Sequence, residues 1–136
     1  MMVIVNDKQI PVPEKLHGWC PVKVLPLEFL SSDYARRHRR LSVFAFKGVK
    51  CSVPNCPHEG AFLMECEQRS LKTGEVQGIH IDLYTKDFAM MTVDHHVPLS
   101  KGGNDHLDNK FPMCSKHNGK KGSIDPEIFY ERFGKL

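Results

Sequence analysis

The chain has 136 residues, 40% of them hydrophobic and 26% charged, with five cysteines and a net charge of +3. That length predicts one domain with a modest core, for which a bound metal would be a useful staple. No apolar run approaches the roughly 18 residues of a membrane span and no basic-then-apolar leader opens the chain, which excludes a membrane protein and predicts a soluble, cytoplasmic one. The weak positive charge permits nucleic-acid binding without requiring it.

Residues 1–13 alternate apolar and polar positions, which predicts an N-terminal strand or hairpin with Asn6 and Asp7 near the turn. Residues 16–26 hold Gly18, Trp19 and two prolines and read as an ordered irregular segment, with Trp19 as a core anchor. Residues 26–41 predict a helix capped at Ser31, Ser32 or Asp33 and carrying Arg36, Arg37, Arg39 and Arg40 on little more than one turn. Four guanidiniums so close repel one another unless anions are near, and phosphates fit their planar donor forks. Residues 41–49 alternate in part and predict a strand. Residues 61–68 and 78–85 predict two more, joined by a polar loop that turns at Gly74. Within the second, His80 and Asp82 share a face read as solvent-facing.

The stretch from Val93 to Gly122 holds most of the chemical side chains. Thr92 and Val93 predict a strand that delivers Asp94 and His95 at its end and stops before Pro98. Lys101-Gly102-Gly103-Asn104-Asp105 is loop chemistry. Residues 107–111 predict a returning strand, and Ser115 an N-cap for a helix through Asn118 and Lys121 that Gly122 stops. The unit reads as strand, loop, strand, helix. Across it, Asp94 and Asn118 offer hard oxygen ligands for Mg²⁺ or Mn²⁺, and His95 a proton acceptor near neutral pH. Lys101, Lys116, Lys120 and Lys121 beside them suit phosphate contacts. Asp125-Pro126 opens a last helix through Phe133.

Five cysteines, Cys20, Cys51, Cys56, Cys66 and Cys114, argue against a disulfide framework by their odd count. Cys51 and Cys56 are separated by four residues, and Cys114 and His117 by two. These short-spaced pairs predict a tetrahedral Cys3His zinc site that clamps the Asn118 helix to the upstream knuckle. His58, two residues after Cys56, is a rival fourth ligand. Cys66 is a further alternative, although Cys20 and Cys66 read more naturally as small buried hydrophobes.

The ordered pattern Asp94-His95-x-Val-Pro-Leu-Ser-Lys-Gly-Gly, then Leu107-Asp108-Asn109, then Cys114-x-x-x-Asn118-x-x-Lys121-Gly122, resembles the HNH endonuclease motif of the ββα-metal nucleases. It covers about a fifth of the chain, and Asn109 and Asn118 follow His95 by 14 and 23 residues, as similar residues do in the HNH domain of RNA-guided CRISPR nucleases. The resemblance implies an α+β fold with a ββα-metal core, a zinc knuckle, added N-terminal strands, a basic helix and a C-terminal helix. Residues 1–50 would form the N-terminal extension, 51–123 the zinc-bound core and 124–136 the final helix. It implies His95 as general base, Asn109 as the brace of the loop behind it, and Asp94 with Asn118 as ligands of a catalytic Mg²⁺, Mn²⁺ or Ni²⁺. His96 departs from the commoner apolar residue, but alternation puts it on the opposite face. The implied activity is hydrolysis of DNA, most simply duplex DNA, to 5′-phosphate and 3′-hydroxyl ends, in a stand-alone enzyme of phage or mobile-element type acting in a bacterial or phage-infected cytoplasm. The alternatives are a zinc-stabilised nucleic-acid- or protein-binding module with a vestigial site, and a nuclease subunit of a larger assembly or one acting on RNA.

Overall fold

A computed structural model describes residues 1–133; the last three residues of the expected C-terminal segment lie outside the described residues. The chain is a mixed α+β fold. Strands β1 (Met2–Val5) and β2 (Lys8–Pro11) form a hairpin, β3 (Cys20–Leu25), β4 (Phe62–Arg69) and β5 (Val76–Tyr84) an antiparallel sheet in that order, and β6 (Met91–His95) and β7 (Lys110–Cys114) a second hairpin. The helices are α1 (Asp33–Arg37), α2 (Leu41–Lys47), α3 (Ser115–Lys121) and α4 (Pro126–Phe133). Among the described residues no helix is long and apolar enough to cross a membrane.

The expected turn at Asn6-Asp7 is present, with both residues at positive φ (51° and 63°), the geometry that lets a two-residue hairpin follow the strand twist. Strand β4 organises the rest by simple alternation. Its Leu63 points into one core with Leu41, Phe44, Val53, Leu83, Met91, Met113 and Phe129, while Phe62, Met64 and Cys66 point into a second with Val3, Leu16 and Tyr84. The N-terminal hairpin covers one face of the central sheet and the helices with the β6–β7 hairpin cover the other.

Several expectations change at the level of local structure. Residues 41–49 are not a strand but largely helix α2. Leu41, Phe44 and Ala45 also satisfy helical spacing, and the neutral His38 ring caps this helix, its Nδ1 accepting from the Arg40 and Leu41 amides at 3.1 and 3.2 Å. The single helix expected over 26–41 is a 3₁₀ turn at Leu27–Ser31 followed by α1, which Ser32 caps through Ala35 N–H at 3.2 Å and which ends at Arg37, with His38 as its C-cap. The irregular segment contains β3, an edge strand that tolerates Pro21. The returning strand begins three residues later than expected, after a 3₁₀ turn at Leu107–Asn109. Ser115 is not the cap of α3: Cys114 is, its thiol accepting from His117 N–H. Gly122 stops that helix at φ 47°, as expected. Trp19 is a half-buried anchor of the second core and stacks on His80 at 4.3 Å.

Candidate functional site

The β6–β7 hairpin and α3 hold nearly every residue singled out in the sequence. Register pairs Asp94 with Phe111 and His95 with Lys110, so both chemical residues sit at the loop end of the hairpin. The loop between the strands is fixed by Asn109. Its Oδ1 accepts from Val97 N–H at 2.9 Å, and its Nδ2 donates to Val97 and Asn104 carbonyls at 3.0 and 2.8 Å. Asn109 thus uses one acceptor and two donors, its side chain acting as a cross-tie. Gly103 fits beneath this tie because it has no side chain: a Cβ there would lie 1.9 Å from the Val97 carbonyl oxygen.

Alternation divides the two neighbours in β6. His95 lines a cleft of about 490 Å³ with His38, Arg39, Arg40, Phe44, Asp82, Thr92, Asp105 and Lys110. Its Nε2 lies 2.7 Å from Asp105 Oδ1, and the same carboxylate is 3.6 Å from Lys110 Nζ and 3.7 Å from Arg39 Nη2. The His95 side chain hydrogen-bonded to Asp105 is the main reason that carboxyl is held below the usual carboxylate range. Arg40 donates to Asp82 at 2.8 Å. Asp82 is therefore not on a solvent face: the end of β5 is covered on both sides, and its carboxylate is buried in the cleft wall. Lys47 donates to the carbonyls of Leu107 and Lys110 and rests 3.7 Å from the Phe111 ring centre, tying α2 to the start of β7.

Asp94 takes the opposite direction and is buried, 3% exposed, at the β6–α3 junction. Lys121 Nζ reaches its Oδ1 at 3.1 Å and also donates to the His95 and His96 carbonyls, each at 3.0 Å. Its other oxygen, Oδ2, is buried and has no hydrogen-bond partner among the described residues. Asn118 shares the junction, donating from Nδ2 to Thr92 Oγ1 at 2.7 Å. Asp94, bonded to Lys121, and Asn118, bonded to Thr92, both lie on the α3 side of β6 while His95 opens on the cleft, and neither of the first two lines that cleft.

The basic residues separate in the same way. The four arginines do not share one helical turn, because α1 ends at Arg37. Arg36 and Arg37 stay on the exposed last turn, with Arg36 over the Phe46 ring at 5.3 Å, and Arg39 and Arg40 fall in the junction that faces His95. Lys116 and Lys120 are exposed, and Lys101 is paired with Asp125 at 3.0 Å. Lys121, expected on the surface, is fully buried against Asp94 and cannot reach an external phosphate. Lys110, Asp105 and Asp82 complete the cleft without any signal in the sequence: they come from a loop and two strand ends that only the tertiary fold brings together.

The second constellation is the thiol cluster. One donor atom from each of Cys51, Cys56, Cys114 and His117 lies within 4.8 Å of the others. The measured separations are 3.9 Å for Cys56 Sγ to Cys114 Sγ, 3.8 Å for Cys51 Sγ to His117 Nδ1 and 3.2 Å for Cys114 Sγ to His117 Nδ1. A tetrahedral site with metal–sulfur bonds of about 2.3 Å has sulfur–sulfur edges of about 3.8 Å. The donor set and spacing therefore fit a metal such as zinc. Burial pushes the Cys51 thiol up to about 12, against the lowering effect of the Cys114 and Val53 backbone N–H groups, so a cation is needed to hold it as thiolate. Burial, then Lys120, His58 and Lys116, lower His117, which keeps the imidazole in its neutral, ligating form. Backbone N–H groups of Cys114 and His117 point at Cys51 and Cys114 sulfurs at 3.4 and 3.5 Å. His58 approaches only Cys56, at 3.4 Å, and stands outside the quartet; Cys66 is buried in the second core.

Comparison of the chain with protein-family models, curated proteins and solved structures found no match.

Proposed function

We propose that the chain is a metal-dependent HNH-type endonuclease that hydrolyses phosphodiester bonds in DNA. The observation that carries this reading is the Asn109 cross-tie behind His95, which holds an imidazole at the floor of a cleft walled by Arg39, Arg40 and Lys110. A reaction on a phosphodiester needs a proton acceptor beside cations, and the cleft sets His95 next to Arg39, Arg40 and Lys110, whose charge Asp82 and Asp105 offset in part.

In this reading the strand of the substrate runs past α1 and the junction after it, with Arg39 and Lys110 near the scissile phosphate and Arg36, Arg37, Lys116 and Lys120 further along. His95 takes the proton from the attacking water. The water oxygen bonds to phosphorus, the bond to the leaving 3′ oxygen breaks, and that oxygen gains a proton from solvent. A positioned base of this kind contributes about 10²–10⁴-fold to the rate. Asp94 and Asn118 would hold the catalytic cation; the fit rests on the buried Asp94 Oδ2 without a partner and on an Asn118 amide that commits its nitrogen, Nδ2, to Thr92. Mg²⁺ or Mn²⁺ held by these side chains would supply charge stabilisation at the phosphate and leaving oxygen, which requires Asp94 and Asn118 to open toward the cleft that neither lines in this structure. Lys121 already offsets part of the Asp94 charge, so the pocket suits a cation of modest affinity. The Cys51, Cys56, Cys114 and His117 quartet is assigned to a structural Zn²⁺ that fastens α3, and with it Asn118 and Lys121, to the Cys51–Cys56 knuckle.

A plasmid-nicking assay tests the assignment. His95→Ala should keep zinc content, melting temperature and DNA binding while losing cleavage in Mg²⁺. Undiminished cutting by that variant refutes the role of His95, and DNA binding without cutting by the wild type across Mg²⁺, Mn²⁺ and Ni²⁺ turns the reading into a binding module.

A further inference from the structure

The ring of His95 is met by a side chain from the β6–β7 loop. Its Nε2 meets Asp105 Oδ1 at 2.7 Å, the length of a charge-assisted bond. Asp105 is itself held in place from both sides. The carbonyl of the preceding Asn104 is gripped by Asn109 Nδ2 at 2.8 Å, and the amide of the following His106 donates to Asn104 Oδ1 at 2.9 Å. Gly103, directly before, lies against the Val97 carbonyl with no room for a side chain. The backbone that carries this carboxylate is therefore held by the same cross-tie that fixes the loop, while Lys110 and Arg39 at 3.6 and 3.7 Å balance its charge.

We infer that Asp105 is the positioning residue of the catalytic base: it accepts Nε2–H of His95, fixes that tautomer, and leaves Nδ1 as the ring atom that takes the proton from water. The inference rests on the nuclease reading and deepens it. A neutral imidazole has one N–H and one lone pair, so a carboxylate that claims the N–H at Nε2 assigns the lone pair to Nδ1. Without Asp105 the ring can rotate and exchange tautomers, and only part of the population presents a base in the right place. It also extends the role of Asn109, which acts on His95 through Asp105 as well as through the backbone.

The test uses the zinc-loaded full chain. Long-range ¹H–¹⁵N spectra of His95 at a pH where it is neutral should show the Nε2–H tautomer in the wild type and a mixture in Asp105→Ala. In plasmid nicking with Mg²⁺, Asp105→Ala should lower kcat by about 10- to 100-fold, part of the contribution of a positioned base. KM for the plasmid should stay unchanged or fall, because a negative charge leaves the cleft. Asp105→Asn keeps the size of the side chain and should show the same split, which controls for a loop disturbed by truncation. A wild-type Nδ1–H tautomer, an unchanged kcat in both variants, or a loss carried wholly by KM overturns the inference and leaves the nuclease reading standing. A wild type that cuts no plasmid in Mg²⁺, Mn²⁺ or Ni²⁺ overturns the nuclease reading and this inference with it.

Discussion

Lys121 is the residue whose loss should be felt most. Its side chain is fully buried, and its ammonium makes three contacts: Asp94 Oδ1 at 3.1 Å and two carbonyls at 3.0 Å. Lys121→Met keeps the length of the chain and removes the charge, leaving a carboxylate that is 3% exposed with no countercharge and two carbonyls with no donor from this side chain. Stranding one partner of a buried ion pair costs about 3–5 kcal/mol. Against a total stability of about 5–15 kcal/mol for a domain, that is about a fifth or more. With an unfolding entropy of about 2.1 cal/mol/K per residue over 136 residues, the melting temperature should fall by about 10–17 °C. Thermal unfolding followed by circular dichroism, on protein of verified zinc content, measures it. The double variant Asp94→Asn/Lys121→Met should recover much of the loss, because no uncompensated charge remains. Mg²⁺ should raise the melting temperature of Lys121→Met more than that of the wild type, since the stranded carboxylate gains a divalent partner. A shift below about 3 °C for Lys121→Met would show that the pair is not buried as described, for the desolvation penalty is what makes its rupture expensive.

Four further outcomes follow from other parts of the molecule. Metal analysis should find one zinc per chain, and Cys114→Ser should abolish it and lower the melting temperature, because Cys114 belongs to the quartet that could hold a metal and also caps α3. Asn109→Ala removes all three side-chain bonds of the cross-tie and should speed hydrogen exchange at the Val97 amide while abolishing nicking at unchanged zinc content. Gly103→Ala should do the same in milder form, its methyl displacing the Val97 carbonyl. His38 caps α2 as a neutral ring, and burial followed by the Arg40 charge lowers it from 6.5. A histidine with a lowered folded value stabilises the fold fully above its unfolded value, so the His38 contribution should be intact above about pH 6.5 and fade as pH falls through the lower folded value; a His38→Gln variant should lose that part of the acid dependence.

The hairpin-and-helix unit was legible because its punctuation is chemical. Pro98 and Gly122 mark breaks that backbone sterics impose, and the spacing of Cys51, Cys56, Cys114 and His117 is dictated by a tetrahedron. What stayed hidden depended on contacts between distant segments. Residues 41–49 satisfy a strand pattern and a helix pattern at once, and the His38 cap that favours the helix cannot be read from periodicity. A lysine on a short polar helix reads as exposed, so the burial of Lys121 becomes visible only when β6 is laid across α3 and Asp94 is seen to lack a countercharge. Asp82 alternated with outward neighbours, but the end of its strand is covered on both faces. Asp105 and Lys110 join His95 through loop closure, which leaves no trace in local pattern.

Strand β4 sends alternate side chains into two different cores, with Leu63 on one side and Phe62, Met64 and Cys66 on the other. Neither half of the molecule has a wall of its own there. A disturbance that loosens the metal knuckle must therefore strain the packing beneath the N-terminal hairpin, and the reverse holds as well. Heat or denaturant should dissolve the protein in one step rather than peel it in layers, with the strand acting as a keystone common to both vaults.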